Sequence, residues 1–558
     1  MAGLFQVFFW LSRDNLVTLN ENSFEKIESL SYSPFEGYDK NLLSSEQIAY
    51  DVNLFENFTN KLRTYGTLEA YKILQSSKDS NLPIDLGLWI GGDLQENNLE
   101  IQRALEILKE YPNRIQSVIV GNEVLLRKEL EPLELYAYID FMKSHTKKPV
   151  TTAETWDIWE KNPQLASHVD FLTIHILPYW EKVPIERYNE FIIEKYSVVE
   201  ELFPNRKIVI GETGWPSHGY NNNKAVPSIK NQAQAIRGFV NLAHEKGWHY
   251  NIIEALDQPW KGYDEGNVGQ YWGIFTTDRA LKFQLAGEVE LNKYWLYQMI
   301  AAIIIGALLT IFGLKNQRVN ISHAFAYAIA AQGMAFGIVM AAIYPFVNYM
   351  NFGMWIMWGM GSFLMIPLVI ITLAKANELF RSSIGVQPSR LVPLDLKSKN
   401  APLVSIHVPA YKEQPHVLAE TLESLSKLTY PNFEVLVIIN NTPEDFYKAP
   451  IKELCEKLGD KFKYLDITCT GFKAGALNKA LEYTDKNAEI VAVIDADYKV
   501  ESPWLVDLVP LFDDPKVAIV QAPQDHRDGD ESIIKKAMNA EYAGFFDIGM
   551  VDRNEENA

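Results

Sequence analysis

Two kinds of hydrophobic pattern divide this chain of 558 residues. From residue 30 to 260, short β-rich apolar runs alternate with longer helical stretches, the pattern of repeated βα units around a parallel sheet. The expected strands are Leu30–Pro34, Leu62–Tyr65, Asp85–Ile90, Ser117–Val120, Val150–Ala153, Phe171–His175, Lys207–Gly211 and Asn251–Ala255. Eight such strands predict an α/β fold, a closed (β/α)8 TIM barrel, which takes up about 250 residues in one domain. The pattern then changes. Tyr294 to Leu314 holds no charged residue, and after Lys315 and Arg318 a second uncharged stretch runs from Val319 to Ala374, broken by a polar turn near Asn348 and Asn351. Three transmembrane helices are expected, at 294–314, 322–346 and 352–374, each long enough for a hydrocarbon layer of about 30 Å. Beyond residue 402 strand and helix alternate again. Val404–Val408, Glu434–Ile439, Tyr464–Ile467 and Ile490–Ile494 read as strands of an open α/β sheet.

These patterns set the expected boundaries: an amino-terminal segment at 1–29, a barrel at 30–292, membrane helices at 293–375, a linker at 376–401 and an incomplete α/β domain at 402–558. Met1 to Leu11 is apolar, too short to span a bilayer, and lacks the basic start of a signal peptide. Either it is the remnant of an anchor whose upstream part exports the barrel, or the first apolar helix exports the barrel unaided; the former is the expectation. Lys315 and Arg318 occupy the first loop and Lys375 and Arg381 follow the third helix, so these loops are expected to face the cytoplasm. The barrel then lies outside the cytoplasm and the second α/β domain inside, in an integral membrane protein.

Composition narrows the partners. Lys and Arg number 52 against 71 Asp and Glu, a formal charge of -19, which repels phosphate backbones and argues against a nucleic-acid partner. Cys455 and Cys469 are the two cysteines; without a CxxC spacing or a His cluster they form neither a zinc site nor a disulfide framework. Both fall on the reducing side of the expected topology.

Chemistry in a βα barrel gathers just after the carboxyl ends of the strands. Glu123, in Val120-Gly121-Asn122-Glu123, and Glu212, in Gly211-Glu212-Thr213-Gly214-Trp215-Pro216-Ser217, follow the fourth and seventh strands. Glycoside cleavage uses a carboxylic acid to protonate the leaving oxygen and a carboxylate at the anomeric carbon; a separation of about 5–5.5 Å implies retention. A lone glutamate in such a place is more often a satisfied structural residue than a catalytic one. With their neighbours, and with Arg63-Thr64-Tyr65-Gly66 after strand two and Glu254-Ala255-Leu256-Asp257-Gln258-Pro259-Trp260-Lys261 after strand eight, these residues resemble glycoside hydrolase family 17, the β-1,3-glucanase-like barrels. The resemblance spans roughly residues 30–275. It implies Glu123 as general acid/base, Glu212 as nucleophile and Asn122 on the sugar 2-hydroxyl. Tyr65, Tyr179, Trp215, Glu254 and Lys261 become candidate substrate-binding residues, and the barrel needs no cofactor.

In the last domain, Pro409-Ala410-Tyr411-Lys412-Glu413 closes the first strand and Asp495-Ala496-Asp497 the fourth. Two aspartates one residue apart can hold a divalent cation against a diphosphate. With Gly471-Phe472-Lys473-Ala474-Gly475-Ala476-Leu477-Asn478 before them and Gln521-Ala522-Pro523-Gln524 after, the order resembles glycosyltransferase family 2, and within it the processive membrane β-glucan synthases. The resemblance implies a nucleotide-diphosphate glucose donor, UDP-glucose in the first instance, with Mg²⁺ or Mn²⁺ at Asp495 and Asp497. Lys473, Glu413 and Asp495 would line the donor pocket, and Asn440 stands where the family carries an aspartate. The acceptor-side Thr-Glu-Asp and the Gln-x-x-Arg-Trp of that family do not occur before Ala558, so a truncated transferase that does not polymerise is expected.

The combined order resembles bacterial inner-membrane synthases of β-1,3- or cyclic β-1,3/1,6-glucans, with an outer barrel that remodels the product by transglycosylation. Two alternatives stay open: a membrane-anchored β-1,3-glucan hydrolase with an inactive nucleotide-sugar-binding domain, and a non-catalytic glucan-binding scaffold.

Overall fold

The computed structural model describes residues 2–13, 15–19, 26–315, 317–386 and 401–556. The chain divides into two compact units, residues 1–315 with 325–373, and residues 316–324 with 374–558. The expected linker residues 387–400 lie outside the described residues.

The first unit is built around a closed barrel of eight parallel strands. In chain order they are β1 (Leu30–Ser31), β2 (Leu62–Arg63), β3 (Ile84–Leu88), β4 (Ile115–Asn122), β5 (Val150–Thr155), β6 (Leu172–His175), β7 (Ile208–Thr213) and β8 (His249–Ile252). β8 pairs back onto β1 through Ile252 and Leu30, which closes the ring. β1 is shorter than the expected Leu30–Pro34. Proline lacks the N–H that a longer ladder needs, and the chain beyond Ser31 turns into the loops of the barrel mouth. β2 likewise stops at Arg63, because the backbone N–H groups of Tyr65 and Gly66 donate to the buried Glu69 carboxylate and leave the ladder.

The surrounding helices follow the amphipathic rule. In Ile229–Lys246 the buried positions Ala233, Ile236, Phe239, Val240 and Ala243 recur every three or four residues. Ser228 caps its start by accepting from the Asn231 N–H at 3.0 Å, and Gly247 ends it at φ 66°, a left-handed conformation that glycine adopts without a Cβ penalty. Each fully buried Ile, Val or Phe on such faces contributes about 1.5–3 kcal/mol.

Three helices are long and apolar enough to cross a membrane: Trp295–Leu314, Ile321–Val347 and Phe352–Ile384. The third continues past the expected end at residue 374, its last turns carrying Lys375, Glu378 and Arg381. A short helix, Gly3–Leu11, packs on the first two. Gln6 donates to the Gln332 carbonyl at 2.6 Å, and Phe9 meets Phe336 edge-on at 4.7 Å. Gln6 is fully buried, and this bond supplies the partner that an amide in an apolar setting requires. Leu16–Thr18 then pairs antiparallel with Glu288–Glu290, so the segments that lead into and out of the barrel run side by side.

The second unit holds a four-stranded parallel sheet in the order β11-β10-β9-β12, with β9 Leu403–Ala410, β10 Phe433–Asn440, β11 Phe462–Ile467 and β12 Ala488–Val493. β10, central and buried along its length, reads Phe-Glu-Val-Leu-Val-Ile-Ile-Asn, the near-continuous apolar run of a parallel strand covered on both faces.

Candidate active sites

Both barrel glutamates are presented by irregular strand ends. In β4 the register against β5 shifts between Ile119 and Asn122. Gly121 sits at φ 82° and Glu123 at φ 55°, a conformation that costs a non-glycine residue about 1–3 kcal/mol and recurs at functional sites. The Glu123 N–H donates to the Ala153 carbonyl at 2.7 Å, which anchors the turn. In β7 the register shifts around Gly211, next to Glu212, on both flanks. Such bulges re-aim side chains, here toward the barrel mouth.

Two residues from other strands join them. His175, the last residue of β6, reaches the Glu123 carboxylate through Nδ1 at 2.7 Å and lies 3.6 Å from Glu212 through Nε2. Arg63, ending β2, donates to the Gly211 carbonyl at 2.5 Å and to Asn122 Oδ1 at 2.6 Å, and stands 3.4 Å from Glu212. One oxygen of each glutamate and a ring nitrogen of His175 all lie within 4.8 Å of one another. Among the described residues this is the one three-residue cluster of metal-ligand type, and the Arg63 guanidinium lies 3.4 Å from one of its carboxylates. Burial pushes the Glu123 carboxyl up, but the hydrogen bond and charge of His175, with Arg127 and Arg63, outweigh it and hold the group below the ordinary carboxylate range.

The surrounding residues differ in what they offer. Asn122 and Tyr65 are half-exposed at the mouth, and the Tyr65 hydroxyl donates to Ser31 Oγ at 2.9 Å. Glu254 and Lys261 form a buried pair at 2.8 Å. Burial pushes Glu254 up to about 7 against the pull of Lys261. Burial lowers Lys261, yet the carboxylates of Glu254, Glu265 and Glu212 leave it above its ordinary value. Tyr179 and Trp215 depart from the expected sugar-binding role. Both are fully buried and meet edge to face at 5.8 Å, with their polar atoms bonded to the Tyr220 and Val226 carbonyls, so they brace the wall and present no free ring face.

His175 and Arg63 carried no role in the sequence reading, although each ends a barrel strand, the criterion that singled out Glu123 and Glu212. Glu154, also at a strand end, accepts from the Leu125 N–H at 2.7 Å, and burial pushes it up to about 7 from an ordinary 4.5. The folded chain therefore keeps a proton that the unfolded chain releases near pH 4.5, so this group's contribution is most favourable below that pH and is lost as the pH rises toward 7. Glu154→Gln, neutral at every pH, should flatten the fall in melting temperature between pH 5 and 7.5; an unchanged slope would place the titration elsewhere.

In the second unit the candidate residues stand at the carboxyl edge of the parallel sheet, where open α/β sheets bind ligands. Glu413 follows β9 and is half-buried, while Asn440 ends β10 and its Oδ1 accepts from Cys469 Sγ at 3.2 Å. Lys473, in the first turn of the helix Phe472–Ala480, is ion-paired with Asp495 after β12. Asp497 is exposed, and its carbonyl accepts from Arg527 at 3.0 Å. Two hard carboxylates one residue apart suit Mg²⁺ or Mn²⁺, with the Lys473 ammonium now neutralising Asp495.

Residues 29–273 match the BtgE/BtgC glycoside hydrolase domain, and residues 405–557 match glycosyl transferase family 2. The chain thus carries two carbohydrate-active domains. The first is a glycoside hydrolase-like barrel, and the second is a family 2 glycosyltransferase domain. The chain is similar to the "Probable family 17 glucosidase SCW4" of Saccharomyces cerevisiae, 25% identical over 45% of this chain and 66% of that protein. It is also similar to the glucan 1,3-beta-glucosidase of Schizosaccharomyces pombe, 27% identical over 42% of this chain and 79% of that protein. A solved family 17 β-1,3-glucanosyltransferase of Rhizomucor miehei aligns with 46% of this chain and 94% of its own, at 25% identity and a TM-score of 0.42.

Proposed function

We propose that the barrel cleaves and re-forms β-1,3-glucosidic bonds with retention, on chains made by a membrane glucan synthase to which the second domain belongs. The observation that carries this is the convergence of Glu123 and Glu212 oxygens to within 4.8 Å at the barrel mouth, near the separation of retaining pairs. The relatives named as glucosidases and the matched domain supply the substrate class.

Glu212 attacks the anomeric carbon while Glu123 gives its proton to the departing glucosidic oxygen, leaving a glycosyl-enzyme ester. Glu123, now a carboxylate, takes the proton of an incoming hydroxyl whose oxygen displaces Glu212. That second step returns the proton to Glu123, so the cycle closes without another donor, and His175 Nδ1, 2.7 Å away, holds the Glu123 carboxylate in place between the two steps. Arg63 holds Asn122, which faces the sugar 2-hydroxyl in this reading, and stands 3.4 Å from the Glu212 carboxylate that attacks. Whether water or a sugar is the incoming group decides hydrolysis against transfer. Mass spectrometry of a β-1,3-gluco-oligosaccharide incubated with the chain tests the reading: products longer than the substrate are expected, only shorter ones would make the barrel a hydrolase, and none would remove it.

In the second domain a divalent ion at Asp495 and Asp497 would neutralise the diphosphate of a nucleotide-diphosphate glucose, UDP-glucose first among the candidates. Lys473, Glu413 and Asn440 would hold the donor. Asp497→Ala should weaken Mg²⁺-dependent binding of UDP-glucose at least about tenfold, the effect of losing one charge-assisted contact; unchanged titration calorimetry would move the donor site. The cations Lys315, Arg318, Lys375 and Arg381 support a topology with the barrel outside the cytoplasm and the transferase inside.

A further inference from the structure

The polar turn between the second and third apolar helices, residues 348–351, does not face open solvent. It is seated on the mouth of the barrel. Tyr349 stacks on Tyr271 with ring centres 5.1 Å apart, and its N–H donates to the Tyr271 hydroxyl at 3.0 Å. Its carbonyl accepts from the Tyr38 hydroxyl at 2.6 Å, and Asn348 Oδ1 lies 2.9 Å from His218 Nε2. Tyr38 follows β1, His218 follows β7 and Tyr271 follows β8, so loops from three strands converge on this turn at the catalytic end.

The contact reaches the site itself. The Tyr349 hydroxyl donates to Asp257 Oδ2 at 2.9 Å, and Asp257 Oδ1 accepts from Lys282 Nζ at 2.7 Å. Lys282 also donates to Ser217 Oγ at 2.7 Å, in the loop that follows Glu212. Lys282 and Asp257 are buried, so this chain of bonds is shielded from water and stiff. Beside it lies a cavity of about 350 Å³. Its walls include Phe35, Tyr38, Asp257, Arg279, Tyr349 and Met350. Ring faces with polar groups between them suit a neutral polyhydroxylated chain.

We propose that this turn is a working part of the barrel's glucan site. It clamps the catalytic mouth to the ends of the helix pair, so that a glucan chain is taken up along those helices with its outer units in this cavity. Tyr349 is a positioning residue that holds the turn, and with it one wall of the cavity, on the barrel through Tyr271 and Asp257. The proposal rests on the glucan reading of the barrel, and the test separates the two.

In the full chain in membranes, with cysteines introduced as His218→Cys and Asn348→Cys, a short bis-maleimide should join the two positions, read by mass spectrometry of the linked peptides without any substrate. Tyr349→Ala should raise KM for a long β-1,3-glucan roughly tenfold while leaving kcat, and KM for the trisaccharide, within about twofold. Tyr349→Phe, which keeps the ring stack, should fall between, and it stands in if the alanine variant does not fold. Absence of the cross-link, with each single cysteine still accepting a mono-maleimide, overturns the clamp. A cross-link accompanied by equal losses on long and short glucans overturns the uptake role and leaves only a structural contact. Failure of the wild-type chain on every β-1,3-glucan would instead remove the glucan reading, and the cross-link would still report on the clamp alone.

Discussion

Glu212→Gly should lose turnover by about 10⁴-fold or more, and azide should restore it with inverted stereochemistry. In the proposed reaction Glu212 works from one face of the bond to be broken and Glu123 from the other, and the glycine leaves space for a small anion on the Glu212 face. With an aryl β-laminaribioside, whose leaving group needs no proton, azide should attack from that face and give the α-glycosyl azide. Glu123→Gly should behave oppositely: Glu212 still forms the ester, azide enters from the vacated acid side, and the β-glycosyl azide results. Nuclear magnetic resonance of the products checks both. The β product from the Glu212 variant would exchange the two roles, and no azide adduct from either would remove the covalent mechanism.

Arg63→Met should destabilise the barrel by about 3–5 kcal/mol, the cost of leaving a buried charge without its partner. Arg63 is 2% exposed and serves four groups at once: Glu212, Asn122, His175 and the Gly211 carbonyl. Methionine fills much of the volume but supplies no donor, so the loss is one of charge and hydrogen bonding. For a domain of this size the change corresponds to a fall in melting temperature of about 10 °C. Arg63→Lys should recover less than half of it, because an ammonium cannot reproduce the fork that reaches Asn122 and Gly211 together. Thermal unfolding of the detergent-solubilised chain gives the comparison. A shift under about 2 °C for methionine would mean that the barrel does not depend on the buried Arg63 charge and its four contacts.

The sequence disclosed what local period and local spacing can encode. Eight βα repeats, three apolar spans and a second parallel sheet follow from residue order alone, and so do Glu123 and Glu212, because a barrel places strand ends at its mouth. What stayed hidden depended on partners brought together across the fold. Nothing near His175 in the chain announces that it will sit between two glutamates from other strands. Trp215, inside a motif that suggested a sugar platform, is sealed against Tyr179 and Tyr188, since a large ring beside the nucleophile loop lowers the free energy more by filling the wall. Tyr349 was hidden most deeply. In the sequence it belongs to a polar break between two apolar helices, and only the closed barrel supplies the aromatic and acidic groups that receive it.

The ribbon formed by Leu16–Thr18 and Glu288–Glu290 bears on the order in which the chain assembles. During synthesis the first of these strands leaves the ribosome long before its partner exists, and the loop between them is the whole barrel. Closing so long a loop from an unfolded chain is slow, whereas a barrel that has already folded brings its two ends together without that entropic cost. The seat of the helix Gly3–Leu11, on Gln332 and Phe336, likewise lies beyond the barrel in the chain, so this contact cannot form until the residues of the barrel have been made. A barrel that fails to close would leave the ribbon unformed, so a substitution that unfolds the barrel should also release Leu16–Thr18 from Glu288–Glu290.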